Sequence, residues 1–275
     1  MFSLFVKFLS FTNMNNSFFI QTHNSLNLSY KVGENQFINR NYTNEFYNEE
    51  NSHIMIQNLS YVPLEEPQNE DILPIDFDWR KKNKVSSVKN QLQCGACWAF
   101  STSGAVEGAW AIQNNVLYNL SEQELIDCSD SYGNQGCKGG SMNLAYKYII
   151  DNGLCANLSY PYVAQNNICQ KKNCESIVKI SDYSQVTVNN EKALKRSLYK
   201  RPISVAIQAN KRSFQMYQSG IYSDLDCGTQ LDHGVLLVGY GYDLLNNMDY
   251  WIVKNSWGPS WGENGYIRIL RNTED

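Results

Sequence analysis

The chain has 275 residues, enough for one large domain or two small ones around a real core. A net charge of −4 without a long basic run argues against a nucleic-acid binder, and no stretch is long and apolar enough to span a bilayer. Hydrophobic residues at 43% and charged residues at 18% put the chain in the globular class. All eight cysteines lie after residue 93, and an even count at scattered spacings suggests disulfides and an oxidising compartment.

The N-terminal stretch "MFSLFVKFLSFTNMNN" mixes apolar residues with one lysine but lacks a clean small-residue cleavage site for a signal peptide. Residues 1–72 are polar, Asn-rich and cysteine-free, and "PLEEPQNEDILP" (Pro63 to Pro74) reads as an exposed linker. A boundary falls near Leu73, after which cysteine, tryptophan and glycine become frequent. N-x-S/T sequons at Asn15, Asn27, Asn41, Asn58, Asn119 and Asn157 are compatible with secretory passage, although an Asn-rich chain makes such triplets by chance.

Beyond the boundary, "CWAFSTSGAVEGAWAIQN" (Cys97 to Asn114) has apolar and small residues at helical spacing and predicts a tightly packed, buried helix. "SEQELIDCS" opens with a capping box in which Ser121 caps and Glu124 reaches back. "SMNLAYKYIIDNG" predicts a third helix, closed by Gly153. The last third changes period. "ISVAIQA", "GVLLVGYGY", "YWIVKNS" and "GYIRIL" are β-branched or aromatic runs bounded by Gly, Asn and Pro, and they predict an antiparallel sheet or barrel. The fold class is therefore α+β, with a helical part over about residues 82–183, a β part over about 184–275 and a cleft between them.

"QLQCGACWAF" (Gln91 to Phe100) holds Cys94 and Cys97 in a C-x-x-C spacing that three chemistries could use. A redox pair would follow a strand in a βαβ unit, and "VSSVKNQLQ" is a poor strand. A zinc site would need two more ligands at matching spacing, and Cys128 and Cys137 are too far apart for a knuckle. The third is a nucleophile, Cys97, at the start of the helix, with Cys94 tied into a disulfide. A Cys–His pair then needs a base, and of the three histidines only His233 lies beyond the boundary, at the mouth of an apolar strand in "QLDHGVLLVGYG".

These blocks resemble the papain-like cysteine peptidases of the cathepsin L type. "DWRKKNKVSSVKNQLQCGACWAFS" is similar to the family's block around the catalytic cysteine, and "LSEQELIDC" and "GCKGGSM" to the next two. "LDHGVLLVGYG" is similar to the histidine block and "YWIVKNSWGPSWGENGYIRI" to the asparagine block, so that the resemblance covers about residues 72–271 in the family's order. It implies a two-lobed fold, with a helical left lobe and an antiparallel β-barrel right lobe. It also implies a cysteine endopeptidase that works through a Cys97 thioester, without metal or organic cofactor.

The implied catalytic set is Cys97 as nucleophile, His233 as base and acid, Asn255 orienting the imidazole, and Gln91 with the Cys97 backbone N–H as oxyanion donors. A helix N-terminus favours thiolate at Cys97. Trp257, counted with the substrate-binding residues, would cover the His233–Asn255 bond from water. Gly139 and Gly140 would offer backbone hydrogen bonds to an extended peptide. Ser141, Met142, Ala206, Leu231 and Gly234 would line the pocket for the side chain two positions before the cut, with a bulky apolar preference, and Asp232 would face the cleft.

The resemblance further implies disulfides Cys94–Cys137 and Cys128–Cys169, with Cys155–Cys174 as an extra bridge. Cys227 is left without its usual partner, because the chain stops at "RILRNTED" where the family's last block begins. "GENQFIN" (Gly33 to Asn39), with Asn39 where Asp is usual, and Asn16, Ile20 and Asn24 resemble an inhibitory pro-region. Its earlier half is missing, so residues 1–72 are expected to be an incomplete pro-region with linker, removed near Leu73, and 73–275 a peptidase domain lacking its C-terminal end. Implied partners are peptide and protein substrates, the chain's own pro-region and cystatin-type inhibitors, for a monomer that is lysosomal, vacuolar or secreted. The alternatives are a catalytically inactive homologue that binds peptides and, on the same acyl-enzyme chemistry, a peptide ligase.

Overall fold

The computed structural model describes residues 15–40 and 73–272. Expectations that fall on 1–14, 41–72 and 273–275, including most of the linker and the sequons at Asn41 and Asn58, lie outside the described residues. No helix among the described residues is long and apolar enough to cross a membrane.

The leader contributes α1 (Asn16–Ser25) and β1 (Tyr30–Val32). A ten-residue helix is marginal on its own. Here its Asn15 cap accepts from the Phe18 N–H, and Phe19 and His23 are buried against the rest of the molecule. The two asparagines of the leader pattern act as backbone clamps. Asn24 gives Nδ2 to the Val32 carbonyl at 2.8 Å and accepts the Val32 N–H at 3.0 Å, while Asn16 Nδ2 reaches the Arg40 carbonyl at 3.0 Å.

After β2 (Phe77–Asp78), the helical lobe is built on α2 (Cys97–Asn114), α3 (Glu122–Cys128) and α4 (Met142–Asn152). From Cys97 to Gly108 every residue of α2 is buried, as its small, apolar sequence predicts. The Ser121 hydroxyl caps the Glu124 N–H at 3.0 Å, but Glu124 does not reach back. Its carboxylate accepts instead from Tyr148 Oη and the Cys155 N–H, and pairs with Lys171 at 2.7 Å, so a tertiary cluster outcompetes the local box. The short strands β3 (Leu154–Cys155) and β4 (Ser176–Val178) close this lobe. Disulfides Cys94–Cys137, Cys128–Cys169 and Cys155–Cys174 staple its loops, and Cys97 and Cys227 are free.

The second lobe carries α5 (Glu191–Lys200), β5 (Ile203–Ile207), α6 (Arg212–Gln215), β6 (Tyr217–Tyr222), β7 (His233–Asp243), β8 (Met248–Lys254) and β9 (Tyr266–Leu270). The strand order is β1-β6-β9-β8-β7-β2, with β5 also on β7. All pairs are antiparallel except β6 with β9, a parallel pair that the strand signals do not foretell. The leader strand β1 therefore forms one edge of this sheet. Its approach needs Gly220, whose φ is +95° and where a Cβ would lie 2.3 Å from the Ser29 carbonyl oxygen.

Each lobe has its own core, one around Trp98, Leu125 and Ile149, the other around Phe214, Tyr217 and Trp261. A small third cluster of Ala105, Leu236, Val238 and Ile252 fills the seam where α2 meets β7 and β8. The Ser101 hydroxyl also crosses this seam, donating to the Val235 carbonyl at 2.7 Å. The seam fixes the first residue of α2 relative to the first residue of β7, namely Cys97 and His233.

Candidate active site

Cys97 is 3% and His233 5% exposed. They lie at the starts of two elements that the seam holds together: a Cβ on Gly234 would sit 3.3 Å from the Cys97 carbonyl group and 3.3 Å from Met142 Sδ. His233 Nε2 is 2.7 Å from Asn255 Oδ1, and the Ser256 N–H donates to that same oxygen at 2.8 Å. The oxygen end of the Asn255 amide is thus fixed toward the ring, which makes Nε2 the protonated nitrogen and leaves Nδ1 for chemistry. The Trp257 indole lies against the imidazole, centroids 4.8 Å apart, and excludes water from this bond.

Gln91 is held from three sides. Its N–H donates to the Ser256 carbonyl at 2.8 Å, its Oε1 accepts from Ser256 Oγ at 2.6 Å, and its carbonyl accepts from Tyr162 Oη at 2.6 Å. The side-chain Nε2 donates to the Cys94 carbonyl at 3.0 Å, which brings the amide to the turn that precedes Cys97. No local sequence signal points to Tyr162. Ser256 stands between Asn255 and Trp257, which is the one local signal for it.

Burial sets the electrostatics. It pushes the Cys97 thiol up to about 11, against backbone hydrogen bonds from Gly234 and Trp98 that favour thiolate. It pulls the His233 imidazole down to about 4, against the Asn255 hydrogen bond. Both directions oppose the thiolate that the helix N-terminus favours, and both have one cause.

Behind the site lies a buried charge cluster. Lys89 Nζ pairs with Glu107 at 2.8 Å and Glu122 at 2.6 Å, and Lys254, the neighbour of Asn255, donates to Ser86 Oγ at 3.0 Å. Burial works against the Glu107 charge, but Lys89 and Lys254 outweigh it and hold the carboxyl below its usual range. Burial lowers Lys254 to about 8.

Of the residues expected to meet substrate, Gly234 lies against both Cys97 and Met142. Gly140 packs on the Trp98 indole, where a Cβ would come within 2.6 Å. The Gly139 N–H goes to the Gly136 carbonyl and its own carbonyl accepts from the Gln135 N–H. Both hydrogen bonds lie within the turn that carries Gly139. Ser141 is buried and anchored through its N–H to Asn134 Oδ1 at 2.8 Å. Ala206 is the register partner of Gly234 on β5 and β7, and Leu231 is 37% exposed. The Asp232 carboxylate accepts the Ala209 N–H at 2.7 Å. The one group of His, Cys and acidic ligands close enough for a metal among the described residues, Glu124 with Cys155 and Cys174, has both sulfurs in a disulfide.

Residues 73–275 match the family model described as papain family cysteine protease. The chain belongs to the papain family. It is 46% identical over 263 residues to a probable cysteine protease, RD21B, of Arabidopsis thaliana, covering 93% of this chain and 55% of the relative. The chain thus spans about half the length of that curated relative. Among solved structures, it is similar to the proform of the Amb a 11 cysteine protease, a ragweed pollen allergen, with a TM-score of 0.84 and 36% identity, covering 94% of this chain and 73% of that one. It is also similar to digestive procathepsin L 3 of Tenebrio molitor larval midgut, with a TM-score of 0.82 and 40% identity, covering 94% and 84%. Both papain-family neighbours are proenzymes.

Proposed function

We propose that the chain is a papain-type cysteine endopeptidase. The observation that carries the reading is the 2.7 Å His233–Asn255 hydrogen bond under Trp257, set at the seam where α2 begins with Cys97. Cys97 Sγ attacks the carbonyl carbon of the peptide bond and His233 takes the thiol proton. The oxyanion is met by the Cys97 N–H and Gln91 Nε2. The C–N bond breaks as His233 protonates the departing amine, leaving a thioester. Water then attacks, again with His233 as base, and the acid product leaves Cys97 as thiol.

Met142 and Ala206 meet Gly234 beside Cys97, which supports an apolar lining, with Leu231 read as part of it, and a bulky apolar side chain two positions before the cut. The leader is read as an inhibitory pro-segment. Phe37 packs edge-on against Trp257 at 4.9 Å and Gln36 Nε2 donates to the Trp257 carbonyl at 3.0 Å, so the leader leans on the ring that covers the catalytic histidine. Three disulfides support a lysosomal, vacuolar or secreted protein. In such a compartment the exposed Asn119 is a glycan acceptor. Cystatin-type inhibitors would enter the same cleft of a monomer.

The test is hydrolysis of a fluorogenic peptide with Leu or Phe two positions before the cut, after removal of residues 1–72, beside a Cys97→Ala control. Cleavage that the control lacks supports the reading, and equal cleavage by both would overturn it.

A further inference from the structure

Leu92 is a residue of the oxyanion turn that the proposed peptidase chemistry does not use. It follows Gln91 directly and has a left-handed backbone, with φ of +53°. Among the described residues, eight other than glycine have a positive φ, and six of these are asparagines. Asparagine tolerates that region because its short amide bonds locally, whereas the β-carbon of other side chains crowds the following carbonyl. Ala164 and Leu92 are the exceptions. Leu92 is the larger of the two, and it does not belong to a core: it is 61% exposed. Leucine at this position thus carries a backbone cost and also leaves apolar surface in water.

The turn needs a left-handed residue but not a leucine. Both sides of the Gln91–Leu92 peptide are held by other residues. Tyr162 Oη donates to the Gln91 carbonyl at 2.6 Å, and the Leu92 N–H donates to Asn90 Oδ1 at 2.9 Å. Glycine or asparagine after Gln91 would keep both bonds at a lower backbone cost. The leucine side chain is therefore explained by what enters the cleft rather than by the fold.

Its place is on the amine side of the cut. Residues 89–91 run antiparallel to 256–258: Asn90 bridges Trp257, the Gln91 N–H reaches the Ser256 carbonyl at 2.8 Å and the Gly258 N–H the Lys89 carbonyl at 3.1 Å. Trp257 covers His233, the group that hands a proton to the departing amine, so the amine half of a peptide lies on this side. The other end of the turn belongs to the acyl side. Cys94 is bonded to Cys137, and the Gly95 N–H reaches the Cys137 carbonyl at 2.9 Å, in the segment that holds Gly140. The amine side already accepts an apolar group: Trp257 is half-buried, and Phe37 of the leader packs edge-on against it at 4.9 Å.

We propose that Leu92 determines specificity after the cut: its side chain packs on the residue that follows the scissile bond and favours an apolar one there. The inference rests on the peptidase reading of Cys97 and His233, and it adds the amine half of the substrate to that reading.

The test folds the full chain and its Leu92→Asn and Leu92→Gly variants, and then removes residues 1–72. Both substitutions suit a left-handed backbone, so the variants fold at least as readily as the parent. Internally quenched peptides give two ratios of kcat/KM, Leu over Ala directly after the cut and Leu over Ala two positions before it. The parent should prefer Leu after the cut by about tenfold, the low end for an apolar contact that stays partly open to water. In both variants this ratio should fall to about 1–2, while the ratio before the cut stays within about twofold of the parent's. A parent ratio near 1 after the cut would overturn the inference. So would a ratio that survives in the variants, even where all rates fall together, because Leu92 would then only shape the turn that presents Gln91. A joint fall of both ratios would overturn it too, as the mark of a loosened cleft. A parent that hydrolyses none of the peptides would overturn the peptidase reading, and the inference with it.

Discussion

Lys89→Met should destabilise the fold strongly, because it removes the cation shared by two buried carboxylates. Lys89 lies on the segment leading into the nucleophile's helix and holds two carboxylates, Glu107 of α2 and Glu122 of α3, whose side chains are 1% and 0% exposed. Each is also engaged by a serine, Glu107 by Ser86 and Glu122 by Ser103. Removing the lysine leaves two buried anions with Lys254 as their one remaining cation in the cluster. Breaking a buried pair in this way costs about 3–5 kcal/mol, and Lys254 places the loss toward the lower end. For a domain of roughly 200 residues, that is a fall in Tm of about 6–20 °C.

Differential scanning calorimetry on the full chain measures it. The double variant Lys89→Met/Glu122→Gln, which removes one charge of each sign, should regain at least half of the loss. A loss below about 1 kcal/mol, the size of a solvated pair, would refute the reasoning. So would a double variant no more stable than the single one.

Three further outcomes follow from the site and its scaffold. Asn255→Ala removes the acceptor on His233 Nε2, a bond that becomes charge-assisted when the ring is protonated. It should lower kcat by roughly 10- to 150-fold, the equivalent of about 1.5–3 kcal/mol, with KM little changed in steady-state peptide hydrolysis. Gln91→Ala removes one oxyanion donor and should lower kcat by about 100- to 1,000-fold, while the rate of Cys97 alkylation by iodoacetamide, which develops no oxyanion, stays within a few-fold of the parent. Cys155→Ala with Cys174→Ala opens a loop of 19-residue separation, and thermal unfolding should show a loss of about 3 kcal/mol.

Much of this site is legible in the sequence because its chemistry needs rare residues in few places. A single histidine beyond the boundary near Leu73 leaves one possible base, and α2 and β7 carry strong periodic signals on either side of the cleft. What escapes is settled by contacts between distant segments. Glu124 looks like half of a capping box until Lys171, Tyr148 and the Cys155 N–H compete for it. Strand β6 is interrupted by Gly220, so it has no clean alternation that reads as a strand. The grip of Ser256 and Tyr162 on Gln91 joins residues 165 and 71 positions apart, which no local spacing can report.

The proposed chemistry requires Cys97 to form a thioester with the acyl half of a peptide substrate. Mass spectrometry of leader-free protein, quenched in acid during turnover of a peptide ester, tests it most directly. The expected result is an acyl adduct on the tryptic peptide containing Cys97, absent from Cys97→Ala and short-lived in the parent. Turnover of the ester by Cys97→Ala at the parent rate, or an adduct on any other residue, would contradict it.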